Sequence, residues 1–98
     1  MSDAYTNRLR EYVQSIQRNP SGREARLQRP TGIVRVWMDV TRAGELIEAG
    51  IDKPSGSMIL DSEAMRTVRQ GRYPAFPEEA FAGQPHHRFV ISMEYKWN

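Results

Sequence analysis

Ile33-Val34-Arg35-Val36-Trp37-Met38-Asp39-Val40 is the stretch on which the fold turns. β-Branched residues crowd it, and Val34, Val36, Met38 and Val40 alternate with Arg35, Trp37 and Asp39. Successive side chains on a strand point to opposite faces, so this period of two predicts a strand with one buried face. Thr41-Arg42-Ala43-Gly44 follows, in which Gly44 can supply the positive φ of a hairpin turn. Glu45 to Ile51 reads as the returning strand, and the phase change between Leu46 and Ala49/Ile51 predicts a bulge in it.

On the N-terminal side, Tyr5, Leu9, Tyr12, Val13 and Ile16 recur at steps of three and four, while Arg8, Arg10, Gln14 and Arg18 occupy the other face. This predicts a helix from Asp3 to Gln17, ended by Asn19-Pro20. Ser21-Gly22-Arg23-Glu24 has the Ser-x-x-Glu spacing of a reciprocal helix cap, followed by a short helical turn through Ala25 and Leu27. On the C-terminal side, Lys53 to Ser57 is a turn, and Leu60, Ala64, Met65 and Val68 return to helical spacing. Asp61 and Glu63 open that helix, Arg66, Arg69 and Arg72 lie towards its end as the helix dipole favours, and Gly71 stops it. Tyr73 to His87 holds Pro74, Pro77 and Pro85 with Phe76 and Phe81 among them, a connector pinned by aromatics. Arg88 to Trp97 closes the chain as a strand, with Phe89, Ile91, Met93, Tyr95 and Trp97 on one side and Val90, Ser92, Glu94 and Lys96 on the other.

The order α-β-β-α-β predicts an α+β fold: a three-stranded antiparallel sheet with two main helices on one face. Residues 1–18 are expected to form an N-terminal helix of the domain and residues 19–98 the rest of a single globular unit. Ninety-eight residues leave room for one small core, and no stretch is apolar and long enough to span a bilayer. There is no cysteine, which removes disulfides, thiolate metal sites and cysteine nucleophiles together. The formal charge is +2, and the basic excess sits in residues 1–30, where six Arg face Asp3, Glu11 and Glu24; a dense polyanion-binding surface is not implied.

Catalytic constellations are sparse. The glycines are scattered at turns, so there is no phosphate loop, and Ser55, Ser57 and Ser62 lack nucleophile-elbow spacing. Asp39 and Asp61 could pair as carboxylates, but acids at a strand end and a helix start are ordinarily turn and cap residues. His86 and His87 lack a third metal ligand, and neighbours on a strand face apart, so they read as solvated loop residues. Arg66, Arg69 and Arg72 form a cationic stripe, yet Asp61 and Glu63 lie close by, as on a common solvated helix. Trp37 and Tyr95 could stack bases, or pack under a helix or cover a bare face. The sequence therefore reads as a binding module rather than an enzyme, with no cofactor. A closing strand at a sheet edge would offer its unpaired N–H and C=O groups to an extended peptide, or be an edge blunted by Glu94 and Lys96, the residues alone favouring neither; a nucleic-acid-binding sheet using Trp37, Arg35 and the Arg66 to Arg72 stripe is the alternative function.

From about Ile16 to Tyr95 the chain resembles the C-terminal domain family of TonB, the energy transducer of Gram-negative bacteria. The elements that carry the resemblance are Asn19-Pro20, Arg23-Glu24-Ala25, Thr31-Gly32, the valine-rich strand from Gly32 to Val40, Gly44-Glu45-Leu46, Ala49-Gly50-Ile51 and Ser55-Gly56. Leu60-Asp61 with Ala64, Val68 and Arg69, then Tyr73-Pro74-Ala75-Phe76-Pro77, and Phe89 to Tyr95 complete the series. Two departures stand out: Asn19 replaces an aromatic before Pro20, and the last connector carries Glu78-Glu79 and two histidines.

The resemblance implies a periplasmic domain that binds the TonB box, a short extended segment of outer-membrane transporters, by strand pairing, and passes force to them for active uptake, iron or siderophore uptake among its tasks. Carried over, the pairing strand is Val90, Ile91, Ser92, Met93, Glu94 and Tyr95, and the segment Gln17, Arg18 and Asn19 also touches the transporter. It implies no metal, no catalytic residue and no nucleic-acid partner, and contact with inner-membrane, proton-driven motor proteins through an N-terminal anchor and spacer preceding this domain in a longer chain. An exposed edge would also allow a homodimer by strand exchange; monomer and dimer both stay open, as do the transporter and its nutrient.

Overall fold

A computed structural model describes residues 2–97. Its elements are α1 (Ser2–Ile16), α2 (Arg23–Gln28), β1 (Gly32–Thr41), β2 (Leu46–Lys53), α3 (Met58–Gln70) and β3 (His86–Tyr95). The strands form one antiparallel sheet in the order β2-β1-β3, so β1 is central and β2 and β3 are its two edges. This is the α+β arrangement expected from the sequence.

The alternation in β1 does what its period requires. Val34, Val36, Met38 and Val40 are fully buried on one face, and Phe89, Ile91, Met93 and Tyr95 of β3 join them. α1 lies over β3 and inserts Tyr5, Leu9 and Val13, whereas α3 lies over β1 and β2 and inserts Leu60, Ala64 and Val68. Both helices thus cover the same face, and among the described residues no helix packs on the opposite face. Fully burying such side chains contributes roughly 1.5 to 3 kcal/mol each, which makes this single apolar layer the main stabilising term.

α3 begins as capping rules require: the Ser57 hydroxyl accepts from the Leu60 N–H at 3.3 Å. α2 departs from them. Gly22, at φ 108°, occupies its cap position and no side chain caps it, because the helix starts at Arg23, a register in which Ser21 falls one residue outside. The reciprocal cap expected from Ser21 and Glu24 is therefore absent; Glu24 instead accepts from the Gln28 amide at 2.8 Å. Only Ala25 of α2 is buried, and Leu27 is exposed.

The bulge expected in β2 is present twice. The register with β1 shifts between Asp39↔Glu48 and Val40↔Leu46, leaving Ile47 over, and again between Arg35↔Lys53 and Val36↔Ile51, leaving Asp52 over. β2 also runs two residues beyond the expected end, because Lys53 still pairs with Arg35. β3 starts two residues earlier than its apolar pattern suggests, since His86 and His87 pair with Thr41 and Val40. Trp97 leaves the strand, and its indole N–H donates to the Pro30 carbonyl at 2.6 Å.

The connector from Gly71 to Pro85 is held by aromatics, as expected, and by one cation that its own sequence does not reveal. Tyr5, Phe76, Phe81 and Phe89 meet edge to face or tilted, with ring centroids 4.8 to 6.1 Å apart. Arg42, in the hairpin turn, donates through Nη1 to the carbonyls of Phe81 (2.9 Å) and Gln84 (3.0 Å). Its Nη2 donates to those of Pro77 (3.1 Å), Glu78 (3.1 Å) and Ala80 (2.9 Å). An irregular segment has no partner strand for its carbonyls, and the planar guanidinium supplies donors in their place.

Candidate functional site

Backbone direction along β3 alternates, and two hydrogen bonds outside the sheet fix its phase. The Glu94 carbonyl accepts from Gln17 Nε2 at 2.6 Å, so it faces away from β1. At the other end the Pro85 carbonyl accepts from the Arg42 N–H at 3.2 Å, on the β1 side. In an antiparallel ladder opposed residues alternate between hydrogen-bonded and non-hydrogen-bonded pairs. The odd-numbered residues Phe89, Ile91, Met93 and Tyr95 therefore bond to β1, and Arg88, Val90, Ser92 and Glu94 turn their N–H and C=O groups to the open edge.

The two edges differ in quality. β2 is interrupted by its two bulges and carries Glu48, Asp52 and Lys53. β3 keeps ten consecutive pairs with β1, from Gly32↔Tyr95 to Thr41↔His86, without a shift. Bulges are one way proteins spoil an edge for further pairing, so the regular β3, although it carries the exposed Arg88 and Glu94, is the candidate site.

The nine residues assigned to partner contact divide by geometry. Val90, Ser92 and Glu94 are exposed and direct their backbones outward. Ile91, Met93 and Tyr95 have buried side chains and bond to β1, so they shape the strand from within. Gln17 lies against the C-terminal end of the edge, and so does Asn19, whose Nδ2 donates to the Lys96 carbonyl at 3.1 Å. Arg18 is exposed beside a cleft of about 410 Å³ between α1 and α3, which Tyr12, Ser15, Glu63 and Arg66 also line. At its floor Arg66 binds the buried Glu63 carboxylate. The Tyr95 hydroxyl, next to Thr67 and Glu63, makes no hydrogen bond of good geometry. Burial first, then the Glu63 carboxylate, pushes that phenol up to about 12, so it stays neutral across the physiological range.

The helix-free face bears Arg35, Trp37, Asp39, Arg88 and Val90. Arg88 grips Asp39 through Nε–Oδ1 at 2.8 Å and Nη2–Oδ2 at 3.0 Å, which holds the carboxyl below its usual range. The same guanidinium stands 4.1 Å over the Trp37 ring. On its other side Trp37 covers Gly50, where a β-carbon would come within 2.7 Å of the indole. Arg35 is paired with Asp52 at 2.5 Å. Trp37 thus covers a bare sheet face, while Tyr95 is packed under the helices, and the two stand on opposite sides of the sheet. Arg66, Arg69 and Arg72 belong to α3 and its exit on the far side from Trp37 and Arg35, so the parts of the nucleic-acid reading do not converge on one surface.

The remaining candidates serve separate local tasks. Asp61 accepts from the Ser55 N–H and hydroxyl at 2.9 and 2.8 Å, closing the turn before α3, and Asp39 is committed to Arg88. His87 stacks on Phe81 at 4.0 Å and hydrogen-bonds Gln84 at 2.7 Å, and His86 is exposed. Among the described residues no three His, Cys, Asp or Glu side chains gather as a metal site, and no helix is long and apolar enough to cross a membrane. Sequence reasoning missed Arg42. A lone arginine in the β1–β2 turn leaves no signal of this role in the sequence, since its five acceptors are backbone carbonyls 35 to 42 residues further along the chain.

Comparison with known proteins bears on the family and the fold. The family described as Gram-negative bacterial TonB protein C-terminal matches residues 22–96. Protein TonB of Pasteurella multocida (strain Pm70) is 34% identical over 70 residues, 71% of this chain; the alignment spans only 27% of that relative's length. The solution structure of the Helicobacter pylori TonB C-terminal domain superposes with a TM-score of 0.75, covering 100% of this chain and 85% of the other at 17% identity. A second solution structure of that domain gives a TM-score of 0.64 at 18% identity, over 94% and 92% of the two chains. At such identities the superpositions speak for the fold, and the family match and the Pasteurella relative carry the kinship. A three-stranded sheet under two helices, one edge of it free of bulges, and a family match over most of the length lead to one conclusion: the chain belongs to the Gram-negative bacterial TonB C-terminal family.

Proposed function

We propose that this domain is the receptor-facing end of a TonB-like energy transducer, working in the periplasm, and that β3 receives the TonB box of an outer-membrane transporter as an added strand. The observation that carries the reading is the edge itself: β3 is uninterrupted over ten residues and points the backbone of Arg88, Val90 and Ser92 outward. Pairing through backbone groups supplies register, and the exposed side chains of Val90, Ser92 and Glu94 supply selectivity on the helix-free face. A pull along the strand axis would load all bonds of such a ladder together, which suits force transmission. The motor contact belongs to parts of the longer protein outside this domain.

Backbone parity gives a sharp test. Ser92→Pro removes an outward N–H and leaves the β1 ladder its bonds, so the variant should fold and lose peptide binding. Ile91→Pro removes an N–H that bonds β1 and should destabilise the fold itself. Calorimetric titration with a TonB box peptide of a transporter from the same organism, alongside thermal unfolding, reads both. Undiminished binding by a folded Ser92→Pro protein would sink the proposal.

A further inference from the structure

Gln17 and Asn19 stand two residues apart, and so do the carbonyls they reach, Glu94 and Lys96. The segment after α1 therefore runs beside the end of β3 in the same direction, residue 17 against 94 and residue 19 against 96. The two amides reach the edge from either side of Arg18, which is exposed and lines the cleft between α1 and α3. The two side chains make the bonds that the N–H groups of an added strand would make. They also occupy the lane such a strand would take.

Resting on the pairing reading above, we infer that Gln17 and Asn19 are a built-in register stop: they close the C-terminal end of the β3 edge and confine an added strand to the outward groups of Arg88, Val90 and Ser92. A smooth edge has no intrinsic register, because any shift by two residues restores both the hydrogen bonds and the facing of side chains. β3 is smooth from His86 to Tyr95, so a ligand strand needs a fixed end against which to halt. The two amides provide it. Asn19 makes the outermost of the two bonds, its Nδ2 donating to the Lys96 carbonyl at 3.1 Å. The stop also shortens the length of edge on which a second copy of the chain could pair.

The test compares the wild-type chain with Gln17→Ala/Asn19→Ala, both lying outside the regular elements, so that the fold is retained. The probe is a nine-residue peptide copied from the TonB box region of a transporter of the same organism, and the readout is amide hydrogen exchange on β3. In the wild type, the peptide should protect the N–H groups of Val90 and Ser92 and leave that of Glu94 as it was. In the double variant protection should extend to Glu94, with affinity for the peptide higher by about fivefold, the equivalent of roughly one added hydrogen bond. Binding with the same protected set in both proteins overturns the stop and leaves the pairing reading standing. Binding to neither overturns the pairing reading and the stop with it. Without any peptide, scalar coupling across the Gln17 amide to Glu94 carbonyl bond should be measurable, and its absence overturns the stop alone.

Discussion

At the scale of single residues, Arg42 and His87 decide how the connector behaves. Arg42 serves five carbonyls and lies 5.5 Å over the Phe76 ring. Hydrogen bonds to charged groups are worth more than neutral ones, and acceptors left buried without a donor cost more again. Arg42→Ala should therefore lose about 3 kcal/mol in urea unfolding, and Arg42→Lys should restore less than half, because an ammonium lacks the planar fork. An unchanged urea midpoint for Arg42→Ala would contradict this. His87 acts through pH. Burial holds its imidazole below the ordinary value of 6.5, and the Asp39 carboxylate opposes that shift only in part. A histidine depressed by folding contributes stability that is complete above 6.5 and is lost as pH falls through the lower folded value. Asp39, depressed by its Arg88 hydrogen bonds, follows the same sign in a separate and more acid window below 3.8. Unfolding free energy should thus decline as pH drops below 6.5, and His87→Phe, which keeps the stack on Phe81, should flatten that decline. Equal slopes in the two proteins would refute the assignment.

At the scale of elements, the β1–β2 turn and the connector are one unit. Gly44 sits at φ 92°, and a β-carbon there would collide with the backbone of Tyr73 and Pro74. Gly56 has nearly the same φ, 96°, with nothing near its β-carbon position. Gly44→Ala should cost at least roughly 2 to 3 kcal/mol, about 1 of it backbone strain, whereas Gly56→Ala should show only the strain. Urea unfolding of the pair separates the two effects; equal losses would mean that the close approach of turn and connector contributes nothing. These elements also show what the sequence could say. β1 was legible because it has one buried face, and the β2 bulge because the apolar phase slips within a few residues. The cap of α2 misled because Ser-x-x-Glu records spacing and not the residue at which the helix begins. The ends of β2 and β3 escaped because Lys53, His86 and His87 are held by pairing with β1, which no pattern within their own segments reveals. The edge positions followed from strand order, and β1 becomes central only when the tertiary fold forms. Legible candidates for the site were thus the strand and the preceding segment, while the alternation of outward groups along β3 required the register.

At the scale of the whole molecule, the helix that lies outside the matched family segment supports everything the site depends on. The match begins at residue 22, after α1 has ended. Yet Tyr5, Leu9 and Val13 are within 1% of complete burial, the Tyr5 hydroxyl donates to the Pro74 carbonyl at 2.8 Å, and the Tyr12 hydroxyl accepts from the Arg72 N–H at 3.0 Å. α1 therefore clamps the start of the connector and roofs β3 in one stroke. Removing it exposes the inner face of the strand whose outer edge is the candidate site. Three fully buried side chains contribute roughly 5 to 9 kcal/mol of burial, an amount comparable to the whole net stability of a small domain. The entropy regained by an unfolded α1 offsets part of this, while the two phenol hydrogen bonds that tie α1 to the connector add to it. A chain starting at Gln17 should accordingly show no cooperative unfolding transition by circular dichroism at about 25 °C, although it retains every residue of the family match and the entire pairing edge. Added back as a separate peptide, residues 2–16 should restore the transition in proportion to their concentration, as expected for a segment that binds only the folded form. A shortened chain that unfolds cooperatively with the midpoint of the intact one would show instead that the sheet and α3 suffice, and that α1 is an ornament of the family core and not its support.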